Sequence, residues 1–238
     1  MEIVPGVHLV DEARGCNIYL LVAERLTLVD TGLRGDLPAI ERYVKDIGRS
    51  PAEIDLVILT HYHPDHIGAL PQLRRRYGCR VAIHKLEAPY IEHRISTADL
   101  RVWGVAGVAL SLSRPFALPE PVPVALPLTD GETLPVLGGA TVIHTPGHTA
   151  GSICLHLPEL RLLFTGDALV HVHSRIGVPG FPFTADRRLG RHSLSRLAAL
   201  PADALCFGHG PPLARGGDKA FSTFLQAGMA GHRAWHSR

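Results

Sequence analysis

Short apolar runs, each broken by Gly, Pro, Asp or Asn, recur along most of the chain. They lie at 7–10, 17–22, 26–29, 55–59, 80–84, 140–144, 152–157, 161–164 and 203–207. Runs this short, rich in Val, Ile and Leu and bounded by turn residues, predict buried strands. Between them the period changes. Leu37, Ile40, Val44 and Ile47 share one helical face that Gly48 ends. Ile67, Leu70 and Leu73 predict a helix over 67–77, and Leu189, Leu194, Leu197 and Leu200 predict another over 189–200. Strands alternating with helices make an α/β chain.

The pattern also repeats. A hairpin over 17–29 ends near Asp30, and one over 152–164 ends at Asp167. A strand entered at Asp55 leads to His61, and one entered at Asp203 leads to His209, with the acid six residues before the histidine each time. Two halves built alike predict two packed sheets with helices outside and a site at their shared edge. The stretch from Lys85 to Pro127 interrupts the pattern. It holds a short helix around 87–92, then Pro115, Pro119, Pro121, Pro123 and Pro127, a density that favours extended chain. Its helical pieces are too short for a core of their own. We read 1–238 as one domain with an insertion at 85–128, either a lid over the site or a plain connector.

Composition narrows the function. A chain of 238 residues with 46% hydrophobic content can bury a full core. Its net charge is +2, and no run of like charge exceeds Arg74-Arg75-Arg76, so no electrostatic nucleic-acid surface is expected. The apolar stretch at 102–112 is too short to cross a bilayer. No basic region followed by an apolar core opens the chain, and Cys16, Cys79, Cys154 and Cys206 show no CxxC spacing. Buried free thiols and a cytoplasmic location are expected. The fifteen histidines remain to be explained.

Three of them fall with an acid in Thr60-His61-Tyr62-His63-Pro64-Asp65-His66-Ile67-Gly68, between a predicted strand and a predicted helix. Ligands of open α/β sheets bind at such strand ends. Pro64 stiffens the turn, so His61 and His63 can point one way while Asp65 and His66 point another. One loop could feed two adjacent metal ions. Any one of these histidines alone would read as a polar loop residue, but three with an acid in six positions favour a metal site. Imidazole and carboxylate suit zinc, and also iron or manganese. His148 in Thr145-Pro146-Gly147-His148-Thr149, Asp167 after Thr165-Gly166, and His209 between Gly208 and Gly210 also stand at strand ends, as a shared centre requires.

The segments THYHPDHIG at 60–68, TPGHTAGS at 145–152, FTGD at 164–167 and GHG at 208–210, with LVDTG at 28–32, resemble the metallo-β-lactamase fold superfamily along essentially the whole chain. The resemblance implies an αββα sandwich of two mixed sheets. It also implies a first metal on His61, His63 and His148, a second on Asp65, His66 and His209, and Asp167 between them. Two zinc ions per chain are expected. Such ions lower the pKa of bound water from about 15.7 to about 7 and stabilise an oxyanion, and Asp65 would orient that water and collect its proton. Asp30 matches the family's early acid and would accept an N–H from a ligand histidine, or else serve as a helix N-terminal acid.

The implied reaction is hydrolysis of an ester-like bond of a small molecule: lactone, thioester or ester. The alternative within the fold is a mononuclear iron persulfide dioxygenase. Only 29 residues follow His209, where glyoxalase II-type thioesterases carry a helical domain, and no tyrosine beyond Tyr90 matches the one that lactonases use. Tyr62, His171, His173 and Arg175 are candidate pocket residues, the last for an acidic group, with solvated loop histidines as the alternative for His171 and His173. Neither nucleic acid nor membrane is an expected partner, and a homodimer is compatible with the chain.

Overall fold

The computed structural model describes residues 1–95, 119–180 and 184–230. Among these, seven strands form one sheet in chain order: β1 (Glu2–Val4), β2 (Val7–Leu9), β3 (Tyr19–Val22), β4 (Leu26–Val29), β5 (Ile54–Ile58), β6 (Arg80–His84) and β7 (Leu126–Leu128). The first four run antiparallel, and β4 through β7 run parallel. Next come β8 (Thr133–Leu134), β9 (Ala140–His144), β10 (Ile153–Leu157) and β11 (Leu162–Gly166), a separate hairpin of β12 (Val170–Val172) with β13 (Arg175–Gly177), and β14 (Ala204–Phe207). The second sheet has the order β14-β11-β10-β9-β8, with β14 parallel to β11.

Strand alternation builds the layers. Tyr19 and Leu21 of β3, Ile153 and Leu155 of β10, Leu162 and Phe164 of β11 and Cys206 of β14 meet between the sheets. Their neighbours Leu20, Cys154, Leu163 and Leu205 face outward onto helices. Helices α1 (Leu37–Asp46), α2 (Pro64–Ile67), α3 (Leu70–Tyr77) and α4 (Ala88–Ile91) cover the first sheet through Ile40, Val44, Leu70, Leu73 and Ile91. Helices α5 (Arg187–Leu197) and α6 (Gly217–Ala230) cover the second through Leu194, Leu197 and Phe221. Each buried Leu or Ile contributes about 1.5–3 kcal/mol. This is the αββα sandwich, and the repeat is visible in it: β3 and β4 antiparallel with β5 parallel, then β10 and β11 antiparallel with β14 parallel. All four cysteines are free and buried, and among the described residues no helix is long and apolar enough to cross a membrane.

Several elements differ from the pattern reading. The helix expected over 67–77 is split into α2 and α3, because Pro71 has no N–H to continue it from Ile67. Gly68 instead donates its N–H to Gly32 O (2.7 Å), where a Cβ would collide with the backbone of Leu33. The stretch after Asp167, in which the apolar runs predict no strand, contains the β12–β13 hairpin. The tail contains α6, whose Phe221, Phe224 and Leu225 pack on the outer face of the second sheet. Of the insertion at 85–128, residues 96–118 lie outside the described residues. Its two ends belong to the body: Ile91 and Val122 are buried in the core, and β7 pairs with β6 as the edge strand, where Pro127 is tolerated.

Candidate metal centre

The loops at the carboxyl ends of β5, β9, β11 and β14 converge at the edge shared by the sheets. His61 Nε2 stands 3.1 Å from His148 Nε2, and His63 Nδ1 stands 2.9 Å from the same nitrogen. All three rings are buried. Beside them, His66 Nε2 lies 3.4 Å from His209 Nε2 and 3.9 Å from Asp65 Oδ2, and His209 Nε2 lies 3.3 Å from Asp65 Oδ2. Asp167 stands between the two clusters: Oδ2 is 3.4 Å from both His148 Nε2 and His209 Nε2, and Oδ1 is 3.5 Å from His66 Nε2. Gly208 makes room for this acid, since a Cβ there would overlap Asp167 Oδ1. The seven residues expected as ligands are thus brought to one place.

Hydrogen bonds settle which nitrogens face the centre. Asp30, at φ +60°, takes a left-handed conformation uncommon outside glycine. That turn aims its carboxylate at Thr60 N (2.8 Å), Thr60 Oγ1 (2.8 Å) and His66 Nδ1 (2.9 Å). Thr60 donates its one hydroxyl hydrogen to Asp30, so it accepts from His61 Nδ1 (3.0 Å). His61 and His66 therefore carry a proton on Nδ1 and turn Nε2 inward. Among the described residues, His148 Nδ1 and Asp167 Oδ1 are buried with no hydrogen-bond partner. Lone pairs pointed at one another without a proton repel, and a cation between them removes that repulsion. Tetrahedral zinc, with nitrogens at about 2.0–2.1 Å, sets them about 3.4 Å apart, near the separations found here. The donor set fits a metal ion.

The two clusters differ electrostatically. Burial, and the neighbouring imidazoles, hold His61 and His63 well below the usual histidine range, and burial lowers His148. Burial also opposes charge on His66 and His209, but Cys16, Asp30, Asp167 and Asp65 carry His66 well up, and bonds to Asp167 and Asp65 raise His209 to about 9. Burial would push the carboxyls of Asp65 and Asp167 up, yet His66 and its neighbours hold both well below the carboxylate range.

Other side chains hold the loops, and the pattern reading does not mark them. Asn17 donates its backbone N–H to Gly208 O (2.7 Å) and its amide to Phe207 O (3.0 Å), and Tyr19 donates its hydroxyl to Phe207 O (2.7 Å). Cys16 donates its N–H to Asp65 O (3.2 Å), and burial pushes its thiol up to about 12. Glu87, fully buried, accepts from Tyr62, Thr149 and Gly151. Burial raises its carboxyl to about 7 against the pull of those donors. Thr60 and Asn17 adjoin recognisable motifs or runs; Glu87, a lone acid before Ala88-Pro89, carries no signal at all.

A cavity of about 530 Å³ opens on the centre. His63, Asp65, His148, Asp167 and His209 line its floor, and Val170, Val172, Ile176, Val178 and Arg175 line its wall. Arg175 thus stands where an acidic group could meet it. Tyr62, His171 and His173 do not line the cavity. Tyr62 is buried and stacked on Tyr90 at 4.6 Å. His171 turns away, its Nδ1 2.6 Å from Pro211 O and its backbone N–H donated to His209 O (3.0 Å), so it holds the His209 turn. His173 is exposed in the turn of the β12–β13 hairpin at φ +51°.

Comparison with known proteins bears on the family and the fold. Residues 11–209 match the family model described as the metallo-beta-lactamase superfamily. A probable metallo-hydrolase of Bacillus subtilis is 29% identical over 89% of this chain and 86% of its own length. A hydroxyacylglutathione hydrolase of Rhizobium meliloti is 32% identical over 81% of this chain, a match that spans 62% of that relative. A crystal structure of a metallo-beta-lactamase family protein from Thermus thermophilus superposes with a TM-score of 0.76 at 29% identity, covering 96% of this chain and 81% of that one.

Proposed function

This chain belongs to the metallo-beta-lactamase superfamily, and from that premise we propose that it is a hydrolase with two zinc ions, cleaving an ester-like bond of a small molecule. The observation that carries the proposal is the pair of clusters with ring nitrogens turned inward, joined through Asp167. His61, His63 and His148 would hold one ion, Asp65, His66 and His209 the other, and Asp167 would touch both. When bound, such ions acidify a water molecule and stabilise the oxyanion of the addition step. Asp65, partly open to the cavity and held as a carboxylate, orients the attacking water and accepts its proton at a side-chain oxygen. His209 Nε2, 3.3 Å away, steadies that carboxylate. Asp30 and Thr60 keep His66 and His61 in the tautomers that present Nε2 inward.

The cavity is sized for a small molecule. Val170, Val172, Ile176 and Val178 offer an apolar wall, and Arg175 offers a cation to an anionic group on the substrate. Relatives named hydroxyacylglutathione hydrolase support a thioester or a related acyl bond as the target.

The test is metal analysis of protein purified without added metal, together with turnover on lactones, thioesters, phosphodiesters and β-lactams. Two zinc ions per chain with hydrolysis of an acyl bond are expected. One iron per chain with oxygen uptake on glutathione persulfide would overturn the proposal.

A further inference from the structure

We infer that Glu87 is a positioning residue for the three-histidine cluster, spanning the two halves of the fold and setting the distance between the loop of His61 and His63 and the turn of His148. The inference rests on the metal-centre reading above. Glu87 follows β6, whose parallel neighbour β5 leads into the histidine loop. One carboxylate oxygen, Oε2, accepts the N–H of Tyr62 at 3.0 Å. The other, Oε1, accepts the hydroxyl of Thr149 at 2.9 Å and the N–H of Gly151 at 2.6 Å. Tyr62 stands between His61 and His63, and Thr149 follows His148. Tyr62 and Thr149 are each one residue from a histidine of the cluster and Gly151 is three from His148, so any displacement of the carboxylate is passed to ring positions.

The surroundings of Glu87 are built for a charged acceptor. Among the described residues no lysine or arginine is paired with it, and donors alone compensate its burial. Thr149 gives its only hydroxyl hydrogen to Glu87, so the Ser152 hydroxyl at 2.6 Å must donate to Thr149, while Ser152 Oγ accepts the Thr149 N–H at 3.0 Å. These hydroxyls form a chain directed at the carboxylate. Gly151 leaves the space: a Cβ there would lie 2.6 Å from Glu87 Cγ and 2.7 Å from Oε1. The Asp65, His66 and His209 cluster receives nothing from Glu87; it is held by Asp30, Asn17 and Tyr19.

Glu87→Gln tests this. The amide matches the carboxyl in shape but accepts on one side only, so its NH2 must face either the Tyr62 N–H or the Gly151 and Thr149 donors. The experiment is calorimetric titration of the metal-stripped full chain with cobalt(II), with the visible spectrum of the bound cobalt recorded, and with His148→Ala and His209→Ala assigning the two sites. Affinity at the three-histidine site should fall about 10- to 100-fold, with affinity at the other site unchanged and the cobalt spectrum altered for the first site alone. Thr149→Val, which removes one donor of the three, should give a smaller loss at the same site and serves if the glutamine variant does not fold. Equal weakening at both sites, or none at either, would overturn the inference. Wild-type protein that takes up no cobalt would sink the metal-centre reading itself, a result distinguishable from unchanged uptake by the variants.

Discussion

The two candidate metal-ligand clusters share an edge and one acid but are built on opposite terms. The cluster of His61, His63 and His148 is closed, uncharged and assembled from imidazoles that burial keeps neutral. The cluster of Asp65, His66 and His209 is more open, with the His209 side chain 34% exposed, and its carboxylates attract positive charge onto both rings. The first is tied between halves by Glu87; the second is tied from behind by Asp30 and from the side by Asn17 and Tyr19. A closed neutral site would hold a cation by geometry. An open acidic one would hold it by charge and leave room for substrate. The lesson is that one loop, 60–66, serves both because Pro64 starts a helix between its two pairs of ligands.

The strongest way to break this comparison is to remove one ligand from each cluster. His148→Ala and Asp65→Ala should each lower turnover by at least about 10³-fold while circular dichroism shows the fold retained. Their metal contents should differ: Asp65→Ala keeps an ion on the three histidines, and His148→Ala does not. Turnover unchanged in either variant would count against the assignment. A finer probe is Asp30→Asn. Asp30 bonds His66 directly but reaches His61 only through Thr60. Calorimetry should show about 10- to 100-fold weaker binding at the acidic site and a smaller loss at the other; equal losses would mean that the two are not separately supported.

Asn17→Ala should cost about 0.5–1.5 kcal/mol, because the Phe207 carbonyl loses one donor while the Tyr19 hydroxyl stays bonded to it. In a chain of this size the melting temperature would drop by about 2–4 °C per kcal/mol, with the loss of metal confined to the His209 cluster. The smallest effect is a pH control. His84, stacked on His144 at 4.1 Å beside the His148 turn, is held at about 4 by burial and by His144. The unfolded chain protonates this histidine first as pH falls, near 6.5. Stability from this group is therefore full above about 6.5 and declines toward pH 4. His84→Phe should flatten that decline in urea titrations at pH 7 and pH 5, both with and without metal. A decline that persists in the variant would assign the acid sensitivity to the clusters.

Much of the fold was legible because its signals are local. Short apolar runs of four to six residues mark β3, β5, β6, β10 and β11 within a residue or two. Pro71 splits a helix that periodicity alone would run together. Helix α6 shows how a short apolar signal, Phe221, Phe224 and Leu225, is overlooked when little else in the segment is periodic. At the site, the histidine loop is legible because five of its six residues from 61 to 66 carry chemistry or stiffness in one place. Pocket residues were the hardest to read. Arg175 lines the cavity whereas His171 faces Pro211, and alternation along a strand says nothing about which face meets a cavity and which meets a neighbouring turn.

What the sequence by itself determined was the set of strands and helices, the doubling of one plan into two halves, and the identity of the side chains gathered as candidate metal ligands, all of which follow from residue type and short-range spacing. Only the tertiary structure decided which nitrogens turn inward and what holds them there. Glu87 meets Gly151 across 64 positions of chain, and Asn17 meets Phe207 across 190. Contacts of that span come from packing two sheets face to face, and no local periodicity contains them.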